Sequence, residues 1–250
     1  MKIAICLSGH TRTYKETCQS IFEEIVNKNK QHQFEFFIHT YNATGNKITP
    51  HGNASNEDEI MEAKQIVEVI ETYKPVYIMV EDNSEVIQKS KPEKYLNKMN
   101  VMPETNVKAV LSMYYSIKKA NQLKQKYENK NKMKFDAKIR ARFDDLIEKF
   151  DFKIEEVKEK YIYVPTIDGL QYNAKDNQDM LGWSWRGGLN DQLGIGTSKT
   201  MNIYAETYDN IEKMFNKGTA FHPETMLRKQ IIDNNIEPKL VDEIRFKLHR

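Results

Sequence analysis

Two cysteines in 250 residues are too few for a disulfide framework, and they lack the clustered partners that a zinc site needs. Cys6 falls inside the apolar run Ile3 to Leu7 and Cys18 inside an expected helix, so the chain reads as cytosolic. An excess of one charge is also missing. Lys+Arg 38 against Asp+Glu 36 leaves a net charge of +2, with the lysines scattered, which offers no broad field for nucleic acid. No apolar run approaches the ~20 residues of a membrane span. The opening Met1 to Leu7 is too short for a signal-peptide core and has no cleavage pattern after it. A soluble, cytoplasmic protein is expected, at most resting on the inner face of a membrane. Internal repeats and low-complexity tracts are absent, as are a Walker A loop and the Gly-x-Gly-x-x-Gly fingerprint. With 39% hydrophobic and 10% aromatic residues there is enough apolar material for one sizeable core, and a single α/β domain is expected.

The organising stretch is Phe135 to Ile147, read as a strand ending in the carboxylates Asp144 and Asp145. Strand alternation places Lys138, Arg140, Arg142 and Asp144 on one face and Ala137, Ile139, Ala141 and Phe143 on the other. A row of cations is expensive to bury unpaired, so the charged face must meet solvent, internal acids or a charged ligand. In open α/β sheets ligands collect at the carboxyl ends of strands. A solvent-facing edge strand followed by an Asp-rich turn is the competing reading.

The rest of the chain supplies strand ends of the same kind. Lys2 to Ser8 is a buried first strand whose end, Ser8-Gly9, leads through His10, Thr11 and Arg12 into a helix from Tyr14 to about Asn27. Gly9 allows a ligand close to the backbone, and Arg12 suits phosphate. Phe34 to Tyr41 is the second strand, with His39 a hydrogen-bonded strand-end histidine in preference to a metal ligand. After a polar loop at 42–56, a helix from Glu57 to Tyr73 is expected, burying Ile60, Met61, Ile66, Val67, Val69 and Ile70 and stopping before Pro75. Val76 to Val80 is a third strand followed by Glu81 and Asp82, and Asn106 to about Tyr127 is a long helix. Tyr161 to Pro165 and Leu189 to Gly196 read as strands on either side of a long loop at 166–188 that carries Tyr172, Trp183 and Trp185. That loop is expected to close over a sugar. Ser198 is expected to cap a helix to about Met214, and Pro223 and Glu224 to open another. Pro238 to Asp242 reads as a last strand before a basic tail.

Four segments, residues 6–14, 37–41, 139–144 and 190–198, together resemble small GT-A-fold glycosyltransferases of bacterial and viral surface-polysaccharide loci. The resemblance implies a GT-A-like, Rossmann-related domain: a twisted, mostly parallel sheet flanked by helices. It divides residues 1–147 as a nucleotide-binding half from 148–250 as an acceptor and catalytic half. A nucleotide-sugar donor and a glycan or lipid-linked acceptor are then the expected partners. By the same resemblance Ser8, Gly9, Thr11 and Arg12, with His39 and Tyr41, line the nucleotide. Glu81, Arg140 and Arg142 join them on the donor side. Asp144 takes the position of the Asp-x-Asp metal motif, with Asp145 and His249 as further ligands of Mg²⁺ or Mn²⁺. Asp191 is expected to bind the donor sugar and Glu224 to act as base, or the reverse. The chain departs from the family at Arg142, which stands where the first Asp of that motif belongs. Without a metal, Arg12, Arg140 or Arg142 would have to neutralise the diphosphate. A nucleotidyltransferase and a catalytically silent carbohydrate-binding protein are the alternatives of other classes.

Overall fold

The computed structural model describes residues 1–43, 61–96, 98–102, 105–166 and 188–249. The chain begins with β1 (Lys2–Ser8), helix α1 (Tyr14–Ser20) and β2 (Gln33–Tyr41); α1 widens into a π-helical turn over Ile21–Val26. Helix α2 (Ala63–Tyr73), β3 (Tyr77–Glu81), α3 (Asn83–Lys89) and the 25-residue α4 (Val107–Asn131) lead to β4 (Ala137–Ala141). Then come β5 (Asp145–Phe150), β6 (Tyr161–Pro165), β7 (Gly194–Gly196), α5 (Ser198–Ala205), α6 (Thr207–Asn216), α7 (Pro223–Asp233), β8 (Glu237–Val241) and β9 (Ile244–Leu248). Seven strands form one sheet in the order β3-β2-β1-β4-β7-β6-β8, and β5 with β9 forms a separate ribbon. Only β7 runs antiparallel to its sheet neighbours, so the architecture is a mixed α/β fold around a mostly parallel sheet.

The centre of the sheet follows from β1. Its run Ile3 to Leu7 is at most 1% exposed, as a strand covered on both faces must be. Alternation sends Ile3, Ile5 and Leu7 into one core with Phe36, Ile38, Ala137 and Ile139, while Ala4 and Cys6 face Ala120 and Leu123 of α4. Parallel pairing of β1 with both β2 and β4 puts the reversal of strand order between β1 and β4. A doubly wound sheet opens its ligand crevice at that switch point, beyond the carboxyl ends of the two strands.

β4 is therefore a central strand. Lys138 and Arg140, at 0% and 1% exposure, are both hidden from solvent, Lys138 against α4. Lys138 donates to Asn121 Oδ1 at 2.9 Å, and burial lowers its pKa to about 8. The strand also ends sooner than expected, at Ala141. Residues 142–144 turn the chain, and Asp145 opens β5 in the other sheet. Helix α1 fastens this turn, because Thr17 Oγ1 donates to the Phe143 carbonyl and Ser20 Oγ accepts from Ile147 N at 2.9 Å.

Other expectations need adjustment. Val67 and Ile70 are 50% and 39% exposed, leaving Val69 and Tyr73 as the fully buried residues of α2. Thr197, and not Ser198, caps α5, accepting from Thr200 N; the helix then breaks at Glu206 into α5 and α6. In place of a strand from Leu189, only Gly194–Gly196 pairs. The approach of α5 explains its glycines, since a Cβ at Gly196 would lie 2.5 Å from Thr200 Oγ1. The basic tail is itself a strand, β9, whose Ile244 is buried. Tyr172, Trp183 and Trp185 and the loop at 44–60 lie outside the described residues.

Candidate active site

A cleft of about 470 Å³ opens at the switch point between β1 and β4, within the size range of small-ligand sites, about 300–1,000 Å³. The end of β1 contributes Ser8, Gly9 and Arg12; β4 and the turn after it contribute Arg140, Arg142 and Asp144. The opposite wall is built by Asp191 and Gln192 ahead of β7 and by Pro223 and Glu224 of α7. Helices α3 and α4 close one side with Asn83, Ile87, Lys108 and Met113.

Local geometry explains how each group arrives there. Gly9 has φ +107°, a left-handed conformation that L side chains rarely adopt, and its N–H donates to Ser116 Oγ of α4 at 2.7 Å. Arg12 has φ 42°, a backbone cost of roughly 1–2 kcal/mol for a non-glycine residue. Opposing that cost, Arg12 Nη1 donates to Asp144 Oδ2 at 2.6 Å. Arg142 grips the same carboxylate with two further bonds, Nε to Oδ1 at 2.7 Å and Nη2 to Oδ2 at 2.8 Å. These guanidiniums outweigh burial and hold the Asp144 carboxyl well below the usual range.

On the far wall, Asp191 and Glu224 behave oppositely. Burial raises both; Asp191 raises Glu224 further, to about 8, while Arg140, Arg142 and His222 oppose the rise at Asp191. A first-turn acid such as Glu224 is ordinarily favoured in its ionised form by the helix dipole; burial and Asp191 outweigh that effect. Glu224 Oε2 has no hydrogen-bond partner, although His222 Nε2 lies 3.2 Å away. Its backbone is held by Leu189 N, which donates to the Glu224 carbonyl at 3.1 Å, and by Tyr114 Oη, which donates to the Pro223 carbonyl at 2.7 Å.

Several expected nucleotide-lining residues stand behind the cleft. His39 is fully buried and bonds to Ser116 Oγ at 2.7 Å and Glu81 Oε2 at 2.9 Å; burial lowers its pKa to about 4 despite Glu81. It is thus a neutral imidazole, donating from Nε2 to Glu81 and accepting at Nδ1 from Ser116. Tyr41 donates to the Ser112 carbonyl at 2.6 Å, Thr11 to Met61 Sδ at 3.4 Å, and Tyr115 Oη to Glu81 Oε1 at 3.1 Å. Together these groups brace α4 against the ends of β1 and β2. Sequence reasoning did not mark His10, Asn83, Lys108 or Gln192, which line the cleft from turns and helix ends.

The expected metal ligands do not assemble. Both Asp144 oxygens are occupied by guanidinium N–H groups, Asp145 is buried beneath Arg142 N at 2.8 Å, and His249 is exposed. What His249 contributes is backbone: its N–H donates to the Asp144 carbonyl at 2.9 Å, and its own carbonyl accepts from Thr13 Oγ1. Among the described residues no group of three His, Cys, Asp or Glu is placed to hold a metal ion. Divalent Mg²⁺ or Mn²⁺ binds through free carboxylate oxygens, so this donor set does not fit either ion.

No protein-family model matches the chain, and no curated protein matches it in sequence. Among solved structures, the galactosyltransferase LgtC in complex with donor and acceptor sugar analogues is similar over 91% of this chain and 69% of its own, at 10% identity and TM-score 0.49. An active-site mutant of LgtC is similar over the same shares, at 10% identity and TM-score 0.47. Likenesses this slight carry no weight for the chain's activity, which has to be argued from its own geometry.

Proposed function

We propose that the chain is a glycosyltransferase that moves a sugar from a nucleotide-sugar donor to a glycan or other acceptor. One observation carries the reading: a single cleft pairs a cationic floor, Arg140 with Arg12 and Arg142, with a wall of two carboxyls whose proton affinity burial raises, Asp191 and Glu224. Sugar transfer needs both halves. A diphosphate leaving group builds negative charge that fixed donors stabilise, and the acceptor hydroxyl must give up a proton to a carboxylate in reach. In this reading Glu224 is the base and Asp191 holds sugar hydroxyls. Glu224 suits the role because burial increases its proton affinity. The resemblance of residues 6–14 and 139–144 to glycosyltransferase segments points the same way, and with it go surface-polysaccharide or glycoconjugate synthesis and a cytoplasmic setting. Among the described residues no helix is long and apolar enough to cross a membrane.

A panel of nucleotide sugars, followed for release of nucleoside diphosphate by the purified protein with and without acceptor glycans, tests the proposal. Turnover of one donor, stimulated by an acceptor, is expected. Nucleotidyl exchange from a nucleoside triphosphate and sugar phosphate would reassign the site. Binding of sugars with no release from any donor would leave a carbohydrate-binding protein.

A further inference from the structure

Arg140 leads the fully buried side chains in volume, at 1% exposure, yet only its Nη1 is bonded, to the Gln192 carbonyl. Nε and Nη2 have no hydrogen-bond partner. A buried guanidinium with unmet donors is costly, and such a group in a ligand cleft is explained most simply by an anion that completes its bonds. A second orphan stands beside it. Cys6 pairs with Arg140 across β1 and β4, so Ser8, two residues further along, projects from the same face of the sheet. Ser8 is 3% exposed, and its hydroxyl also lacks a partner.

The charge around these atoms favours an anion. Four permanent cations line the cleft, Arg12, Lys108, Arg140 and Arg142, against the carboxyls of Asp144, Asp191 and Glu224. Burial raises the pKa of Asp191 and helps carry Glu224 to about 8, which lessens the negative charge set against these cations. Asp144 sets its carboxylate against two of them, both of its oxygens accepting from Arg12 and Arg142. It orients two guanidiniums.

We infer that the floor of the cleft is a metal-independent diphosphate site, in which Arg140 Nε and Nη2 and Ser8 Oγ donate to phosphate oxygens and the Asp144-held Arg12 and Arg142 supply the balancing charge. Guanidinium is suited to this task, since its planar fork matches two phosphate oxygens and it is not neutralised at any working pH. That the diphosphate belongs to a sugar nucleotide rests on the glycosyltransferase reading; the anion site itself does not.

The probe is inorganic pyrophosphate, titrated calorimetrically into the full chain in excess EDTA and again with Mn²⁺. Binding in EDTA is expected, with an affinity changed less than about threefold by Mn²⁺. Arg140→Gln should weaken it at least tenfold and Arg140→Lys should restore only part, because an ammonium lacks the two-point fork. Ser8→Ala, a small change that leaves the core filled, should weaken binding several-fold. Arg140→Met separates a ligand role from a structural one: it should abolish binding while leaving the thermal midpoint unchanged or higher, since an unmet buried charge is removed. A lower midpoint with unchanged pyrophosphate affinity in the Arg140 and Ser8 variants would overturn the inference, as would binding that appears only with Mn²⁺. Metal-free pyrophosphate binding without turnover of any nucleotide sugar would support the anion site and sink the glycosyltransferase reading. Turnover that depends strictly on Mn²⁺ would do the reverse.

Discussion

Arg142 and Asp144 stand two residues apart, and the turn after β4 folds them face to face so that the guanidinium clasps both carboxylate oxygens, at 2.7 and 2.8 Å. Asp144 is 1% exposed and Arg142 13%, so solvent screens this pair little. Removing one partner of a buried ion pair leaves the other charge uncompensated, at a cost on the order of 3 kcal/mol. Asp144→Asn keeps the shape and removes the charge that faces both Arg142 and Arg12. A fall of that size in urea-unfolding free energy is expected. An unchanged midpoint would show that the carboxylate is not what holds the two arginines.

Glu224 should control the pH dependence of transfer. Its raised pKa means that the base form grows as pH rises through the neutral and mildly alkaline range, so the rate should climb there. Asp191 contributes to that rise by like-charge repulsion; in Asp191→Asn the ascending limb should therefore move to lower pH. Glu224→Gln should abolish transfer while donor binding survives, whereas Asp191→Asn should weaken donor binding as well. A pH–rate profile unmoved by Asp191→Asn would separate the two carboxyls.

His39 makes the stability of the fold acid-sensitive. Its folded pKa of about 4 lies below the ordinary 6.5, so between those values the unfolded chain binds the extra proton. The stabilisation from its neutral form is complete above pH 6.5 and is lost as pH falls through 4. In His39→Gln, unfolding free energy should decline less between pH 6.5 and 4 than in the parent. Parallel curves would mean that His39 does not titrate as its burial requires.

Gly188 sets the position of Glu224. A Cβ at residue 188 would lie 2.3 Å from Glu224 Cβ and 3.0 Å from its carbonyl carbon, so α7 would have to shift. Overpacking of this kind costs about 1–3 kcal/mol. Gly188→Ala should lower the thermal midpoint accordingly and reduce turnover more than donor affinity, because Glu224, the proposed base, moves and the cationic floor does not. Loss of donor affinity alone would place the effect elsewhere.

Much of the sheet could be read directly, because β1, β2 and β6 are short apolar runs whose burial leaves no alternative period. The end of β4 could not. Phe143 continues the alternation of Ala137, Ile139 and Ala141 into the core, so the pattern runs straight through a turn that backbone bonding to α1 imposes. β9 was overlooked for the opposite reason: its charged Arg245 and Lys247 disguise an alternation with Ile244, Phe246 and Leu248. Within the candidate site, Ser8, Gly9, Arg12, Arg140, Arg142, Asp144, Asp191 and Glu224 share one cleft, and all of them flank strand ends or a helix start. His39, Tyr41 and Glu81 occupy equivalent strand-end positions one and two strands away from the switch point, where the same residue types brace α4. Distance from that reversal of strand order is set by pairing, which residue pattern alone does not reveal.

The ribbon of β5 and β9 joins Asp145 to Leu248 and passes its last backbone bond to the carbonyl of Asp144. During synthesis the turn that carries Arg142 and Asp144 emerges from the ribosome about a hundred residues before the strand that closes over it. The parallel core of β1, β2 and β4 can form while translation continues, but the backbone bond from His249 to the turn that carries the arginine clasp forms only after residues 244–249 have cleared the exit tunnel. A nascent chain stalled short of that point would carry a nearly finished sheet and lack the ribbon that backs this turn.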